Sequence, residues 1–270
     1  MLNFFPTRTI ALQLGGYAVH WYGVLYVLAF LIGFLLLPRL QKRCGLVLST
    51  DDQLFIVVAA MLGVIVGGRL GYVLFYEPSY FVQHPGEIFQ IWRGGMSSHG
   101  GFIGVAAALY VISRLLKVRF WQLTDLVVVP VAIGLALGRL GNFINQELHG
   151  TITNLPWGMS FPGVPGRRHP VQLYAAAKDV LIAAVCFLWL QKQRPYRPGE
   201  VTSLFLLLYG ALRFLLEFVR AQEYPPISFG AVILTRGQFL TLPLLLIGAW
   251  LWFASRQSTT ALATEGPSAS

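Results

Sequence analysis

The sequence predicts an all-α, polytopic membrane protein with about seven transmembrane helices. Of its 270 residues, 56% are hydrophobic and only 11% are charged, and the mean hydropathy is +0.63. Soluble globular domains carry about 25% charged residues, so this composition excludes that class. The chain also contains apolar runs long enough to cross about 30 Å of hydrocarbon. Finally, its basic residues are distributed unevenly between alternate loops, as in proteins that cross the membrane several times.

Seven apolar runs follow one another along the chain, and we interpret each as one span. The third run is the shortest. The first is not a cleavable signal peptide, because its basic residues follow the apolar run and the run is too long for a signal. The runs lie near residues 18–37, 54–75, 101–116, 123–144, 171–190, 201–219 and 238–254.

Basic side chains concentrate in every second loop. Ten follow the first, third, fifth and seventh runs, whereas the opposite loops hold six. Because cytoplasmic loops are enriched in Lys and Arg, we expect an external amino terminus and a cytoplasmic carboxyl terminus. The net charge of +9 is then mostly a topology signal and not a nucleic-acid footprint. The ten residues are Arg39, Lys42, Arg43, Arg114, Lys117, Arg119, Lys192, Arg194, Arg197 and Arg256.

Unusual polar residues all fall at the external ends of the predicted spans. The densest group ends the fourth span, over residues 138–150. An arginine inside a bilayer costs several kcal/mol even after snorkelling, so Arg139 is expected to face a polar cavity, a partner or an anion. At 100° per residue, Arg139, Asn142 and Gln146 share one helical face, with Glu147 and His149 to either side.

Two intramembrane arginines on different helices, Arg139 and Arg213, predict a cavity for an anion. A phosphate suits guanidinium groups, which bind its oxygens in bidentate fashion. His99 lies next to glycines, where the backbone can approach a substrate closely and a neutral imidazole can accept a proton. A phosphate site with a base beside lipid indicates chemistry on a phospholipid.

Each of these features also has a purely structural interpretation. Small residues at every fourth position pack helices, arginines near helix ends anchor them, and aromatic residues form interfacial belts. Histidines can be interfacial hydrogen-bonding groups, and Glu217 can simply neutralise Arg213 and Arg220. The other residues open to a structural interpretation are Gly63, Gly67, Gly71, Arg69, His20, His149, His169, Trp21, Tyr22 and Tyr76.

The sequence resembles the prolipoprotein diacylglyceryl transferases from about His20 to Arg220. Five motifs in the expected order carry the resemblance, and the segment 138–150 is the most specific. The motifs occupy residues 20–23 (His-Trp-Tyr-Gly), 94–101 (Gly-Gly-Met-Ser-Ser-His-Gly-Gly), 138–150 (Gly-Arg-Leu-Gly-Asn-Phe-Ile-Asn-Gln-Glu-Leu-His-Gly), 168–174 (Arg-His-Pro-Val-Gln-Leu-Tyr) and 209–213 (Tyr-Gly-Ala-Leu-Arg).

The resemblance implies an enzyme of the bacterial inner membrane whose site faces the periplasm or outer surface. It implies transfer of the diacylglyceryl group of phosphatidylglycerol to the lipobox cysteine thiol of a prolipoprotein signal peptide, giving a thioether and glycerol phosphate. This is the first step of lipoprotein maturation. We expect one transmembrane catalytic domain over residues 1–255 and a disordered cytoplasmic tail over residues 256–270.

The family's functional residues match this chain position by position. On that basis His99 is the candidate base, and Arg139 and Arg213 bind the phosphate. Asn142 and Glu147 position the headgroup and the arginines, and Glu147 is also a catalytic candidate. We assign a turn to Gly150. Tyr22 is a catalytic candidate that either hydrogen-bonds the phosphate or forms part of the pocket wall. The substrate-binding candidates are Arg139, Asn142, Gly150, Arg213, Arg69 and His169.

This chain departs from the family's pattern in two places. Ser98 stands where members often have a phenylalanine, and Ala175 stands where they often have a glutamate. No metal site is expected, because no Cys/His cluster has metal-ligand spacing, and no cofactor or nucleic-acid partner is expected. The main alternative is a transporter or flippase for an anionic lipid or metabolite, which is expected to show inverted repeats and polar residues serving both sides.

Overall fold

The computed structural model describes residues 9–222, 225–230 and 232–264, and helices dominate that part of the chain. Each of the seven predicted apolar runs forms one long helix, and one short helix lies between the second and third of these. The predicted all-α class is confirmed. In chain order the helices are α1 (Trp21–Arg43), α2 (Thr50–Phe75), α3 (Pro78–Gln83), α4 (Ser98–Leu115), α5 (Phe120–Ile144), α6 (Val171–Lys192), α7 (Glu200–Leu216) and α8 (Arg236–Thr264).

Six of these helices are long and apolar enough to cross a membrane, α7 being counted with the 3₁₀ turn that continues it to Val219. The apolar part of α4, His99–Leu115, is shorter. The chain is therefore a polytopic membrane protein, as predicted, and the third run is the shortest, as predicted. The orientation of the termini and the domain limits stay predictions. The predicted tail begins within α8, which continues to Thr264, and residues 265–270 lie outside the described residues.

Three two-stranded antiparallel hairpins accompany the helices in the described chain. Apolar run length does not predict these hairpins, because their strands are short. One precedes α1, one lies between α5 and α6, and one precedes α8. Their strands are β1 (Ile10–Leu14) with β2 (Tyr17–His20), β3 (Met159–Ser160) with β4 (Arg167–Arg168), and β5 (Ile227–Phe229) with β6 (Val232–Leu234).

Local sequence explains where several helices begin. Ser49 caps α2: its hydroxyl accepts from the backbone N–H of Asp52, and the Asp52 carboxylate accepts from the backbone N–H of Ser49. This reciprocal arrangement satisfies N–H groups that have no partner within the helix. Pro78 stands at the start of α3, where its missing N–H costs nothing. Gly199 precedes α7 with φ of 91°, a conformation that favours glycine.

In the compact unit formed by residues 34–126, α2 and α4 pack backbone against backbone. A Cβ atom added at Gly67 would lie 2.4 Å from the carbonyl oxygen of Gly100, and one at Gly63 would lie 2.7 Å from that of Gly104. Only glycine allows this approach, so the ridge of small residues on α2 packs helices, as its structural interpretation predicted. The contact fixes the amino-terminal half of α4 against α2.

The other compact unit joins residues 1–33 to residues 127–270. Within it, α1 contacts α5, and an added Cβ at Gly134 would meet the Cβ of Ala29 at an ordinary 3.5 Å. Helices α7 and α8 pack closely, and the buried Ser203 hydroxyl donates to the carbonyl of Gly248 at 2.7 Å. Helix α6 packs against α7.

A buried carboxylate holds the connection between α6 and α7 against α8. Glu200 is fully buried, and its Oε1 accepts two hydrogen bonds from Arg256, at 3.1 and 3.0 Å. Its Oε2 accepts from Arg197 at 3.4 Å and from Gln193. A buried charge needs partners, and here the partners of Glu200 come from α8 and from the connection between α6 and α7. The cluster therefore holds this connection, a predicted cytoplasmic loop, against α8.

Candidate active site

The carboxyl end of α5 turns sharply and brings Glu147 back over the helix. The helix ends at Ile144, and Gln146 adopts a left-handed conformation with φ of 61°. The N–H of Glu147 donates to the carbonyl of Asn142, and that of Gln146 donates to the carbonyl of Phe143. These two bonds define a Schellman motif, in which the second residue beyond the helix lies over its last turn.

This turn corrects one detail of the predicted helical face. Arg139 and Asn142 do lie on one face, because the Arg139 Nη1 donates to the Asn142 Oδ1 at 3.3 Å. Gln146 does not share that face, since the helix ends two residues before it. The prediction was wrong there because the Schellman turn uses Gln146 where glycine is commoner, so no stop signal is visible in the residue type.

A chain of hydrogen bonds links Arg139 to the turn. The buried Asn142 accepts from Arg139 and donates through Nδ2 to the Glu147 Oε1 at 2.7 Å. The backbone carbonyl of Glu147 accepts from Gln172 Nε2 of α6 at 2.6 Å. Asn142 thus orients a guanidinium on one side and a carboxylate on the other. These contacts support a positioning role for Asn142 and Glu147 toward Arg139, and their positioning of a lipid headgroup stays a prediction.

Arg139 and Arg213 line the same cavity, a small cleft that is open to its surroundings. Its wall carries four cations, Arg139, Lys178, Arg213 and Arg220, on or beside helices α5, α6 and α7. The side chains of Gln172 and several apolar residues complete it. The predicted convergence of intramembrane arginines on one cavity is therefore what the structure shows.

Glu217 holds Arg213 in place from the next turn of the same helix. The two form an ion pair at i and i+4, with 15% of the Arg213 side chain and 3% of the Glu217 side chain exposed. A Cβ atom at Gly237 would lie within 2.4–2.7 Å of the Glu217 carboxylate, so the backbone of Gly237 lies directly against that carboxylate. Glu217 therefore neutralises Arg213, as its structural interpretation predicted.

Lys178 is a cavity residue to which the sequence analysis gave no role. Its side chain is only 10% exposed, pairs with the almost fully buried Asp179, and lies 4.1 Å from the ring centroid of Tyr209. Arg139 also acts electrostatically on Tyr209, so this tyrosine lies near two cations of the wall. The signal was present in the sequence, since Lys178 is one of the few basic residues within a span.

Tyr22 packs against α5 at the same end of the unit. A Cβ atom at Gly141 would lie 2.5 Å from the Tyr22 ring, so the ring lies directly on the backbone of α5. The hydroxyl is 3.5 Å from that of Tyr26, and Arg139 and Glu147 are near enough to act on it electrostatically. Tyr22 is not among the residues that line the cavity, and its catalytic role stays a prediction.

Gly150 is required by close packing and not by the turn that the sequence suggested. Its N–H donates to the carbonyl of His169 at 2.9 Å, and it forms a β-bridge with Arg220. A Cβ atom there would lie 2.5 Å from a methyl group of Val171, 2.6 Å from the Cβ of His169 and 2.6 Å from the carbonyl oxygen of Val219. Gly150 therefore brings the segment that carries Arg220 beside the start of α6.

His169 is engaged in the external segment between α5 and α6. Its Nδ1 lies 3.3 Å from the hydroxyl of Tyr174, which accepts from Trp157 Nε1 at 2.7 Å. If that hydroxyl donates to Nδ1, the imidazole is neutral and carries its proton on Nε2. These bonds support a positioning role for His169, and substrate contact by His169 stays a prediction.

In the unit formed by residues 34–126, Arg69 holds the segment that leads into α4. Its guanidinium donates to four backbone carbonyls: Ile88 at 2.8 Å, Gly94 at 2.7 Å, Gly95 at 3.1 Å and Glu87 at 2.6 Å. Arg69 is only 6% exposed. These bonds give Arg69 a structural role in this segment, and substrate contact by Arg69 stays a prediction.

Glu87 strengthens the same segment outside the spans. Its carboxylate accepts from the Tyr80 hydroxyl at 2.9 Å and from Arg93 at 3.1 Å. The hydrogen bond from Tyr80, helped by the charge of Arg93, holds the pKa of the Glu87 carboxyl below its usual range. Arg69 and Glu87 therefore both hold the segment before α4 in place, Arg69 through its backbone carbonyls and Glu87 through the side chains of Tyr80 and Arg93.

His99 lies in the first turn of α4, exposed at the surface of its unit. Ser97 caps this helix by accepting from the N–H of Gly100 at 3.2 Å, and the N–H of Ser97 donates to the carbonyl of Gly68 at 2.8 Å. Together with the glycine contacts of α2 and α4, these bonds determine where His99 is presented. Its role as base stays a prediction.

The chain is similar to known proteins over the region that contains these site residues. The sequence matches the family described as prolipoprotein diacylglyceryl transferase over residues 9–254. The chain belongs to the prolipoprotein diacylglyceryl transferase family. It is 44% identical over 250 residues to the phosphatidylglycerol–prolipoprotein diacylglyceryl transferase of Cupriavidus metallidurans, covering 89% of this chain and 90% of the relative.

Two further relatives carry the same name. The protein of Legionella pneumophila strain Lens is 42% identical over 259 residues, which cover 95% of this chain and all of the relative. That of Coxiella burnetii strain RSA 331 is 45% identical over 263 residues, which cover 95% and 98%. These relatives do not favour the transporter alternative.

For a member of this family, the departure at Ala175 falls at an informative position. Ala175 is 5% exposed and lines the cavity one turn before Lys178. A glutamate in that position would add a negative charge to the wall, whereas alanine adds none. Within the described residues, no group of three or more His, Cys, Asp or Glu side chains is placed to hold a metal ion.

Proposed function

We propose that this protein transfers the diacylglyceryl group of phosphatidylglycerol to the lipobox cysteine thiol of a prolipoprotein signal peptide. The products are a thioether-linked lipoprotein precursor and glycerol phosphate, and the reaction is the first step of lipoprotein maturation. The observation that carries the proposal is the convergence of Arg139 and Arg213 on one cavity in a family member. Guanidinium groups from two helices can bind the phosphate of the lipid from two directions.

The reaction requires charge stabilisation at the phosphate. The cysteine thiolate attacks the glyceryl carbon, the carbon–oxygen bond to phosphate breaks, and the bonding electrons leave with the phosphate oxygen. In this proposal Arg139 and Arg213 stabilise the charge on that oxygen. Asn142 and Glu147 orient Arg139, and Tyr22 packs on the backbone of α5 beside them.

The reaction also requires a base, because the thiolate and not the thiol is the nucleophile. We assign this role to His99, whose neutral imidazole can accept the proton. The fixed start of α4 supports the assignment, since a general base acts efficiently only when it is held in position. The proposed reaction uses no metal or cofactor, so a chelator is expected to leave the rate unchanged.

We further propose that the protein lies in the bacterial inner membrane with the amino terminus and the site on the external face. The support is the excess of basic residues in alternate loops. Single cysteines at Thr151 and Gln191, in a variant without other cysteines, provide the test. An impermeant thiol reagent should label T151C but not Q191C in intact spheroplasts, and the opposite pattern would reverse the topology.

The decisive test of function uses purified protein in detergent, where no membrane separates two compartments. With phosphatidylglycerol and a peptide that carries a lipobox cysteine, mass spectrometry should detect the thioether-linked diacylglyceryl peptide and glycerol phosphate. The same peptide with serine in place of the cysteine is the control and should remain unmodified. A folded protein that binds phosphatidylglycerol but forms no thioether would overturn the transferase proposal and favour the transporter.

A further inference from the structure

Gln172, which lines the cavity, carries a buried oxygen that the rest of the described chain does not engage. Its Nε2 donates to the backbone carbonyl of Glu147 at 2.6 Å. Its Oε1 has no hydrogen-bond partner within the described residues, and the residue is only 2% exposed. Buried polar atoms in native proteins are almost always paired, so an unpaired acceptor in the wall of a site points to a bond made with a ligand.

The orientation of this amide is determined by its partner. If the oxygen and nitrogen of Gln172 were exchanged, two oxygens would face each other at 2.6 Å, so the nitrogen must point to the carbonyl of Glu147. Glu147 is in turn connected to Arg139 through Asn142. The acceptor of Gln172 on α6 therefore has a defined position relative to the guanidinium of Arg139 on α5.

Within the described chain, Gln172 contributes the one side-chain acceptor of the cavity wall. The other residues that line the cavity are either cations, namely Arg139, Lys178, Arg213 and Arg220, or apolar. The wall therefore suits a guest that carries an anionic group together with a hydrogen-bond donor. The oxygens of an ionised phosphodiester accept hydrogen bonds and cannot donate one, so the donor to Gln172 must come from another group of the same guest.

We propose that Gln172 recognises the glycerol headgroup of phosphatidylglycerol by accepting a hydrogen bond from one of its hydroxyl groups. The inference rests on the proposed function, because it assumes that Arg139 and Arg213 bind the phosphate of that lipid. The headgroup hydroxyls lie on the two carbons next to the esterified one, so a lipid held by its phosphate has donors close by. Gln172 is then a specificity-determining residue, which contacts the part of the lipid that leaves with the phosphate.

The test compares two lipids that differ only in the headgroup hydroxyls. Phosphatidylglycerol and phosphatidylpropanol with the same acyl chains carry the same phosphodiester charge, but the propanol headgroup has no donor. Their dissociation constants are measured by calorimetry on the full-length protein in detergent micelles, without peptide. The variants are Q172M, which removes the whole amide, Q172E, which keeps an acceptor but loses the donor to Glu147, and the control Q191M. Gln191 lies at the other end of α6 and is not among the residues that line the cavity.

We expect the wild type and Q191M to prefer phosphatidylglycerol about 3- to 30-fold, the usual effect of one hydrogen bond to an otherwise unpaired buried acceptor. Q172M should reduce that preference to less than about twofold. Q172E should bind both lipids more weakly because of its charge, yet keep the preference, since its carboxyl group can accept from a hydroxyl. If Gln172 only held Glu147 in place, Q172M would weaken the binding of both lipids equally and leave the preference unchanged.

Three outcomes would overturn the role of Gln172: equal binding of the two lipids by the wild type, an unchanged preference in Q172M, or a lost preference in Q172E. Thermal unfolding in detergent shows that each variant is folded, and Q172E decides the matter if Q172M is not. Because binding is measured without turnover, these results are independent of the proposed transferase activity. Absence of thioether product from wild-type protein would instead refute the proposed function, whatever the headgroup preference.

Discussion

The hydrogen bonds of Asn142 make a specific prediction about catalysis. This side chain accepts from Arg139 at 3.3 Å and donates to Glu147 at 2.7 Å, and it is 8% exposed. In N142D the acceptor for Arg139 remains, but the donor to Glu147 is replaced by an oxygen. Two carboxylates then face each other, and the added negative charge also reduces the potential of the phosphate cavity.

The expected size of the effect follows from the bond that is lost. A hydrogen bond to a charged group contributes about 1.5–3 kcal/mol, and its removal should misplace Arg139 as well as Glu147. If that loss is expressed in the transition state, kcat/KM falls roughly 10- to 150-fold. E147Q keeps an acceptor for Asn142 and should lose less. The double variant N142D/E147Q restores both the net charge and an N–H···O bond in the reverse direction.

The assay is thioether formation from phosphatidylglycerol and a lipobox peptide, measured as kcat/KM for the four proteins of this double-mutant cycle. Thermal unfolding in detergent serves as the folding control. We expect N142D/E147Q to recover most of the activity that N142D loses. Wild-type activity in N142D, or losses that simply add in the double variant, would refute the idea that this bond orients the phosphate site.

Three further predictions follow from the site. R139K and R213K should each lose roughly 30- to 1,000-fold in rate while the protein still folds, because an ammonium cannot reproduce the two-pronged phosphate contact; near-normal turnover in both would make the arginines anchors. Replacing His99 by glutamine should slow single turnovers about 10²- to 10⁴-fold, with partial recovery as the pH approaches the thiol pKa of about 8.5, and parallel pH profiles would exclude it as the base. Substituting alanine for Gly150 should lower the free energy of unfolding by about 1–3 kcal/mol, because the added Cβ would meet three atoms at 2.5–2.6 Å; the loss is measured as a lower Tm. The matched control G138A should keep the wild-type Tm, because its Cβ meets nothing within 4 Å.

Several features of the site were predictable because they depend on local sequence. Arg139 and Asn142 are three residues apart on a helix, so they were expected to face the same way. Arg213 and Glu217 are four apart, and the ion pair follows from that spacing. The cavity itself was inferred from energetics, since arginines within spans must face something other than lipid.

Other features were missed because they depend on contacts between distant segments. The carboxyl end of α5 turns at a glutamine, which carries no stop signal, so Gln146 was placed on the wrong face. The structural role of Arg69 was not predicted, because its partners are carbonyls 18 to 26 residues further along the chain. Gly150 was expected in a turn, although the reason for glycine is the approach of two other segments.

The sequence by itself determined the number and order of the apolar helices, because the cost of exposing polar groups to lipid is recorded in composition and run length. It also determined which polar side chains cost enough free energy within the membrane to require a function. Only the tertiary structure decided which of them share a cavity, because α5, α6 and α7 are joined by segments whose path local sequence does not specify. The tertiary structure places Lys178 beside the arginines. It also places Arg69 where its guanidinium donates to backbone carbonyls of the loop before α4.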